Sequence, residues 1–143
     1  MYVKRVSPAE ALNLMEKEGW LYLDVRSVPE FEQGHPAGAY NVPLVHMGPE
    51  GSSVNAEFLS TIERQFDRGA RLLVGCRTSN RAEHAVVALL RAGYSNVAIQ
   101  RAGFLGTHDF FGHADPGWEP AGLPTSRHAE PGRSWAELDG GSR

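Results

Sequence analysis

The chain has 143 residues, 41% of them apolar and 22% charged, and a formal net charge of −3. That length predicts one domain, the composition is that of a soluble globular protein, and the charge gives no electrostatic case for nucleic acid or an anionic membrane as partner. The only cysteine, Cys76, excludes an internal disulfide and a multi-cysteine metal site, and favours a reducing compartment. The opening Met1-Tyr2-Val3-Lys4-Arg5 lacks the apolar stretch of a signal peptide, and no segment approaches transmembrane length. A cytoplasmic location is therefore expected.

A strand is predicted near Tyr2–Arg5. Ser7-Pro8-Ala9-Glu10 is a capping box with proline at the first helical position. The helix it opens turns Leu12 and Met15 inward and stops at Gly19. Trp20–Val25 reads as a strand, and Ser27 with Glu30 forms a second capping box for a short helix ending near Gly34. His35–Gly38 is a loop in which His35 stabilises the turn; Ala39–Val42 is a strand; residues 46–53 form a Gly/Pro/Ser loop. Asn55 caps a helix with Phe58, Leu59, Ile62 and Phe66 on one face. Arg71–Gly75 is a buried apolar strand. A helix over 81–91 repeats apolar residues at 82, 85, 86 and 89, Gly93 stops it, and Asn96–Gln100 is a strand. Beyond Gly103 the text is less regular, and from about Thr125 it reads as a polar, disordered tail, with Trp135 and Leu138 suited to docking.

Strands alternating with helices predict an α/β fold: a mostly parallel five-stranded sheet with helices on both faces. Chemistry in such sheets sits beyond the carboxyl ends of strands. Cys76 is at one such end, Asp24 and Arg26 at another. A lone cysteine after an apolar strand is often an inert buried residue. Cys76, however, lies where a strand ends and a helix begins, so unpaired N–H groups and the helix dipole converge on it, with Arg77 and Arg81 alongside. That surrounding predicts a lowered thiol pKa. Phe104, Phe110 and Phe111 are read as packing residues or as walls of a pocket. His108, His113 and Asp115 lack the spacing and helix support of a metal site, so neither metal nor cofactor is expected.

Five stretches, in order, carry a resemblance. They are Tyr22-Leu23-Asp24-Val25-Arg26-x-x-x-Glu30-Phe31; Gly34-His35-Pro36-x-Gly38-Ala39-x-Asn41-Val42-Pro43; Val74-x-Cys76-x-x-x-x-Arg81; Gly93-Tyr94-x-Asn96-Val97; and the late Gly117-Trp118 with Gly122-Leu123-Pro124. Together they resemble the single-domain form of the rhodanese (thiosulfate sulfurtransferase) family, and are most similar to its small plant and bacterial members. The resemblance spans residues 2 to 124, which implies a domain over 1–124 and a tail over 125–143. Four departures stand out: Ser79 where the family commonly has glycine, Ala82 where it often has serine, Ala102-Gly103 for Gly-Gly, and an insertion at about 107–116.

The resemblance implies a persulfide on Cys76. A small donor such as thiosulfate loads it, and cyanide, a thiol or a sulfur-accepting protein unloads it. Backbone N–H groups of Arg77, Thr78, Ser79, Asn80 and Arg81 would cradle the sulfur. Arg77 would sit at the mouth for an anionic donor, and Arg81 would turn inward to pair with Asp24 or Glu30. Asp24, Arg26 and Glu30 are supporting residues. Two rivals remain: a non-enzymatic persulfide carrier or interaction module, and a cysteine-based phosphatase. The phosphatase pattern places five residues between cysteine and arginine, whereas this chain has Arg77, Thr78, Ser79 and Asn80.

Overall fold

A computed structural model describes residues 3–78, 80–108 and 111–140. Along the chain run β1 (Lys4–Val6), α1 (Pro8–Glu18), β2 (Leu21–Asp24), α2 (Val28–Gln33), β3 (His35–Pro36), β4 (Tyr40–Asn41), β5 (Val45–Gly48), β6 (Gly51–Val54), α3 (Phe58–Gln65), β7 (Leu72–Gly75), α4 (Asn80–Arg91), β8 (Val97–Gln100), β9 (Gly106–His108), β10 (Ala114–Pro116), β11 (Thr125–Ser126) and α5 (Trp135–Gly140). Tyr2, Ser79 and Phe110, each singled out in the sequence, lie outside the described residues. Among the described residues no helix is long and apolar enough to cross a membrane.

Five strands form one parallel sheet in the order β1-β8-β7-β2-β4. The apolar runs of β2, β7 and β8 follow from burial on both faces, since alternate side chains point to opposite sides. Leu23, Leu72, Val74, Val97 and Ile99 pack with Phe58 and Ile62 of α3 and with Ala85, Val86 and Leu89 of α4. Tyr22, Leu73 and Ala98 pack on the other face with Leu14 of α1, Phe31 of α2, and Trp118. β7 is central and β2 its neighbour, with Asp24 in register with Gly75. The parallel register thus brings the two chemistry-bearing strand ends side by side.

Both capping boxes form. The Ser7 Oγ accepts from the Glu10 N–H at 3.1 Å while the Glu10 carboxylate accepts from the Ser7 N–H at 2.8 Å. Asn55 acts one turn ahead of the helix: its Oδ1 accepts from the Glu57 N–H and its Nδ2 donates to the Pro43 carbonyl.

Three expectations need correction. Residues 46–53 are not a loop but an antiparallel hairpin, β5 with β6, turning at Pro49-Glu50. Its small and polar residues hid strands that are largely exposed and so carry no apolar alternation. The 107–116 insertion likewise contains a hairpin, β9 with β10. The segment from Thr125 to Gly140 is not disordered. β11 pairs antiparallel with β3, which itself was read as part of a loop. Arg133 then donates to the Gly38 carbonyl at 2.7 Å, lies over the Tyr40 ring, and offers its own carbonyl to the Asn41 N–H. Leu138 enters the first core. The segment is polar because most of its anchors are hydrogen bonds to main chain, which a composition-based reading scores as disorder.

Candidate active site

Cys76 follows β7 directly, and only a glycine fits before it. A Cβ on Gly75 would lie 1.9 Å from the Tyr22 hydroxyl, which wedges beneath the strand end. The chain then bends through Arg77 and Thr78 into α4. The first turn of a helix has N–H groups without intrahelical partners, and here they point at sulfur. The Ala82 N–H lies 3.3 Å from Sγ, and the Thr78 and Arg81 amides also favour the thiolate.

The predicted convergence of amides on Cys76 is therefore present, but its expected consequence is not. The thiol is only 2% exposed, and burial pushes its pKa above the ordinary value despite the amides and the Arg81 charge. Desolvation disfavours the thiolate, and in this closed loop it outweighs the hydrogen bonds. The expectation of a lowered pKa is corrected accordingly.

The two arginines paired with carboxylates divide cleanly. Arg26 takes Asp24: Nε and Nη2 reach both carboxylate oxygens at 2.7–3.1 Å, and the Arg26 N–H adds a bond to Oδ1. Nη2 also donates to the Gly34 carbonyl, and the guanidinium stacks over Phe104 at 4.3 Å. Both members of this pair are buried. Arg81 takes Glu30, bidentate at 2.7 and 3.0 Å. Glu30 already accepts from the Ser27 N–H and hydroxyl, so the α2 capping residue is also the anchor of the cysteine loop. Burial pushes the Glu30 carboxyl up, but the Arg81 and Ser27 hydrogen bonds outweigh it and bring it to about 2.

Arg77 is exposed and lines a cleft of about 390 Å³ together with Arg26, Glu30, Gln33, Phe104, Leu105 and Glu119. Cys76 does not itself line that cleft; its loop forms one edge through Arg77. Thr78 and Asn80 are exposed on the loop. His35 is buried, stacked on Phe31 at 3.6 Å, with Nδ1 2.7 Å from the Phe31 carbonyl. Burial lowers its pKa, which suits the turn-stabilising reading. Asp115 pairs with Arg101, and among the described residues no three His, Cys, Asp or Glu side chains are placed to hold a metal.

Several residues shape the site through contacts that the sequence does not show. Asn41 donates to the Asp24 and Arg26 carbonyls and fixes the turn after β2. The Phe104 and Leu105 N–H groups grip the Cys76 and Arg77 carbonyls at 2.8 and 3.1 Å. The Ala102-Gly103 pair was visible as a motif, but its contact with the cysteine loop was not.

The family model for the rhodanese-like domain matches residues 7–109. The chain is 38% identical over 107 residues to chloroplastic thiosulfate sulfurtransferase 16 of Arabidopsis thaliana, covering 75% of this chain and 80% of that protein. It is 33% identical over 106 residues to the mitochondrial protein HIGH ARSENIC CONTENT 1 of the same plant, covering 71% of this chain but 63% of that one. The crystal structure of Rv0390 from M. tuberculosis superposes with a TM-score of 0.72 at 25% identity, covering 90% of this chain and all of the other. By sequence model, relatives and fold together, the chain belongs to the rhodanese-like sulfurtransferase family.

Proposed function

We propose that this protein moves sulfane sulfur from thiosulfate, or a similar small donor, to a thiophilic acceptor through a persulfide on Cys76. The observation that carries the reading is the Ala82 N–H in the first turn of α4, 3.3 Å from the Cys76 sulfur, with the Thr78 and Arg81 amides also favouring its thiolate. In the first step the Cys76 thiolate attacks the outer sulfur of the donor. The donor's S–S bond breaks, and sulfite leaves with the electron pair. The new terminal sulfur carries the negative charge, for which amide N–H groups are suitable partners. In the second step cyanide or a thiolate attacks that sulfur, and Cys76 departs as thiolate. Arg77, exposed at the edge of the cleft, supplies positive charge on the donor's approach. Glu30 and Arg81 hold the loop rather than touch the donor. The location expected from the sequence, a reducing cytoplasmic setting, is part of this proposal.

A second reading is favoured by the burial of Cys76 and its raised thiol pKa: the protein is a persulfide carrier that unloads only within a partner complex. One experiment addresses both. The protein is incubated with thiosulfate and its mass measured, then cyanide or a small thiol is added and turnover followed. Enzymatic transfer predicts a gain of about 32 Da on Cys76, one sulfur atom, and repeated turnover on small acceptors. Loading without turnover supports the carrier. No adduct, or an adduct retained in Cys76→Ser, overturns the persulfide reading.

A further inference from the structure

A peptide unit carries its C=O and N–H on opposite sides. Whatever holds the carbonyl of residue i therefore aims the N–H of residue i+1. In the cysteine loop the carbonyls of Cys76 and Arg77 are both held, by the N–H groups of Phe104 and Leu105 at 2.8 and 3.1 Å. Their partner N–H groups, those of Arg77 and Thr78, are thereby turned to the other side, and the Thr78 amide favours the Cys76 thiolate. The turn that performs this grip is itself built on one side chain. Gln100, at the end of β8 and with no exposed surface, accepts from the Ala102 and Gly103 N–H groups at 2.9 Å each. Its Nε2 donates to the Gly103 carbonyl at 2.8 Å and to the Tyr22 hydroxyl at 3.3 Å. The same hydroxyl wedges under Gly75, the residue before Cys76. Gly103 adopts φ +73°, and a Cβ there would lie 2.5 Å from the Arg77 carbonyl oxygen. The turn and the cysteine loop are thus in backbone contact, leaving no slack to absorb a shift.

We propose that Gln100 is a positioning residue for sulfur transfer: through Gly103, Phe104 and Leu105 on one side and Tyr22 on the other, it aims the amide cradle at Cys76. It touches neither donor nor sulfur. The proposal rests on the persulfide reading above for its catalytic consequence, but its geometric content can be measured without any sulfur donor.

The test uses Gln100→Met, which keeps the volume and removes all four hydrogen bonds. The control is Tyr94→Phe, which removes buried hydrogen bonds of the Tyr94 hydroxyl to the Ile62 and Phe66 carbonyls at the opposite end of the sheet. Three quantities are read on the full chain: the pH midpoint of Cys76 alkylation, the melting temperature, and steady-state transfer from thiosulfate. Because methionine preserves burial, misaimed amides should raise the alkylation midpoint by roughly half a pH unit or more. The kcat should fall about tenfold, with KM for thiosulfate within about twofold, since Arg77 is untouched. Tyr94→Phe should lower the melting temperature and leave midpoint and kcat alone. An unmoved midpoint in folded Gln100→Met overturns the proposal. A lowered midpoint, or an equal shift in Tyr94→Phe, also overturns it, because each reports loosening rather than aim. Should Gln100→Met fail to fold, Tyr22→Phe removes only one of the two Nε2 acceptors; it should shift the midpoint upward by a smaller amount, and no shift there overturns the proposal. If the wild-type protein takes sulfur from no donor, the persulfide reading fails while the alkylation result still decides the role of Gln100.

Discussion

The loop that carries Cys76 is held from two sides, and the two holds differ in kind. From α2 comes one side-chain ion pair, Glu30 with Arg81, with 25% and 19% of the side chains exposed. From the end of β8 come two main-chain hydrogen bonds, from Phe104 and Leu105 to the Cys76 and Arg77 carbonyls. These are braced by Arg26, whose guanidinium lies over the Phe104 ring while it binds Asp24, at 5% and 2% exposed. The α2 hold depends on charge and reaches water, so it can be screened and titrated. The β8 hold depends on peptide geometry and buried pairing, so it yields only to a steric change or to the loss of a partner. A loop built this way keeps its amide ring fixed while one flank stays responsive to pH and salt.

The sharpest way to break this comparison is Arg26→Met. It leaves the Asp24 carboxylate buried without its partner, which costs about 3–5 kcal/mol, read as a drop in urea-unfolding free energy. Replacing both members together, Asp24→Asn with Arg26→Met, should recover part of that loss. A loss smaller than that of Arg81→Ala would show that the β8 side is not the stronger hold.

Arg81→Ala should cost less, about 1–2 kcal/mol, because its pair is only partly desolvated, and high salt should narrow the gap to wild type. The pH dependence has a definite sign. Glu30 is held at about 2 in the folded protein, below its ordinary 4.5. The unfolded chain binds the extra proton between those values, so stability rises with pH there. The Glu30 contribution is fully present above pH 4.5 and is lost as pH falls toward 2. Thermal melts of wild type and Arg81→Ala should converge over that window; parallel curves would mean the pair contributes nothing.

A third measurement sets burial against the amides at the sulfur itself. With the thiol pKa raised by burial, the alkylation rate of Cys76 should climb about tenfold per pH unit between pH 7 and 8. Its midpoint should lie above the free-thiol value of about 8.5. A plateau reached below pH 8 would show that the loop amides win over desolvation.

The smallest effect on stability belongs to Arg77→Ala. Its exposed side chain should contribute less than about 0.5 kcal/mol to folding. Its mark should be a KM for thiosulfate raised by about threefold to tenfold at low salt, fading as ionic strength rises. Equal loss of melting temperature in Arg77→Ala and Arg81→Ala would erase the distinction between a residue at the cleft edge and one that fastens the loop.

Much of the architecture was legible without coordinates. Ser7 with Glu10 and Ser27 with Glu30 announce α1 and α2, because a capping box satisfies its partners within four residues. The apolar runs of β2, β7 and β8 announce strands buried on both faces, and their alternation with helices announces a parallel sheet. The position of Cys76 followed from the same local grammar: an apolar strand, a short polar loop, then helical spacing from Ala82. The hairpins of 45–54 and 106–116 were not legible, since their strands are mostly exposed and carry no alternation. Nor was the docking of Arg133 on Tyr40 and Gly38, although Trp135 and Leu138 were apolar enough to mark their own docking.

At the site, the cast was readable from the chain alone: a lone cysteine, Arg81 five positions after it, and two carboxylates within reach. It left open which carboxylate Arg81 takes. The fold selects Glu30, because Arg26, two residues from Asp24, occupies both oxygens of that carboxylate. It also decided the direction of the Cys76 pKa, which local motifs predicted in reverse. The physical reason is common to both. Hydrogen-bond partners within a turn of chain are settled by local geometry, whereas desolvation and the choice between distant partners depend on what packs over the site. Cys76 is buried in a core that also holds Val25 and Val42, residues about 35 to 50 positions away in the chain, brought to it by the order of strands in the sheet.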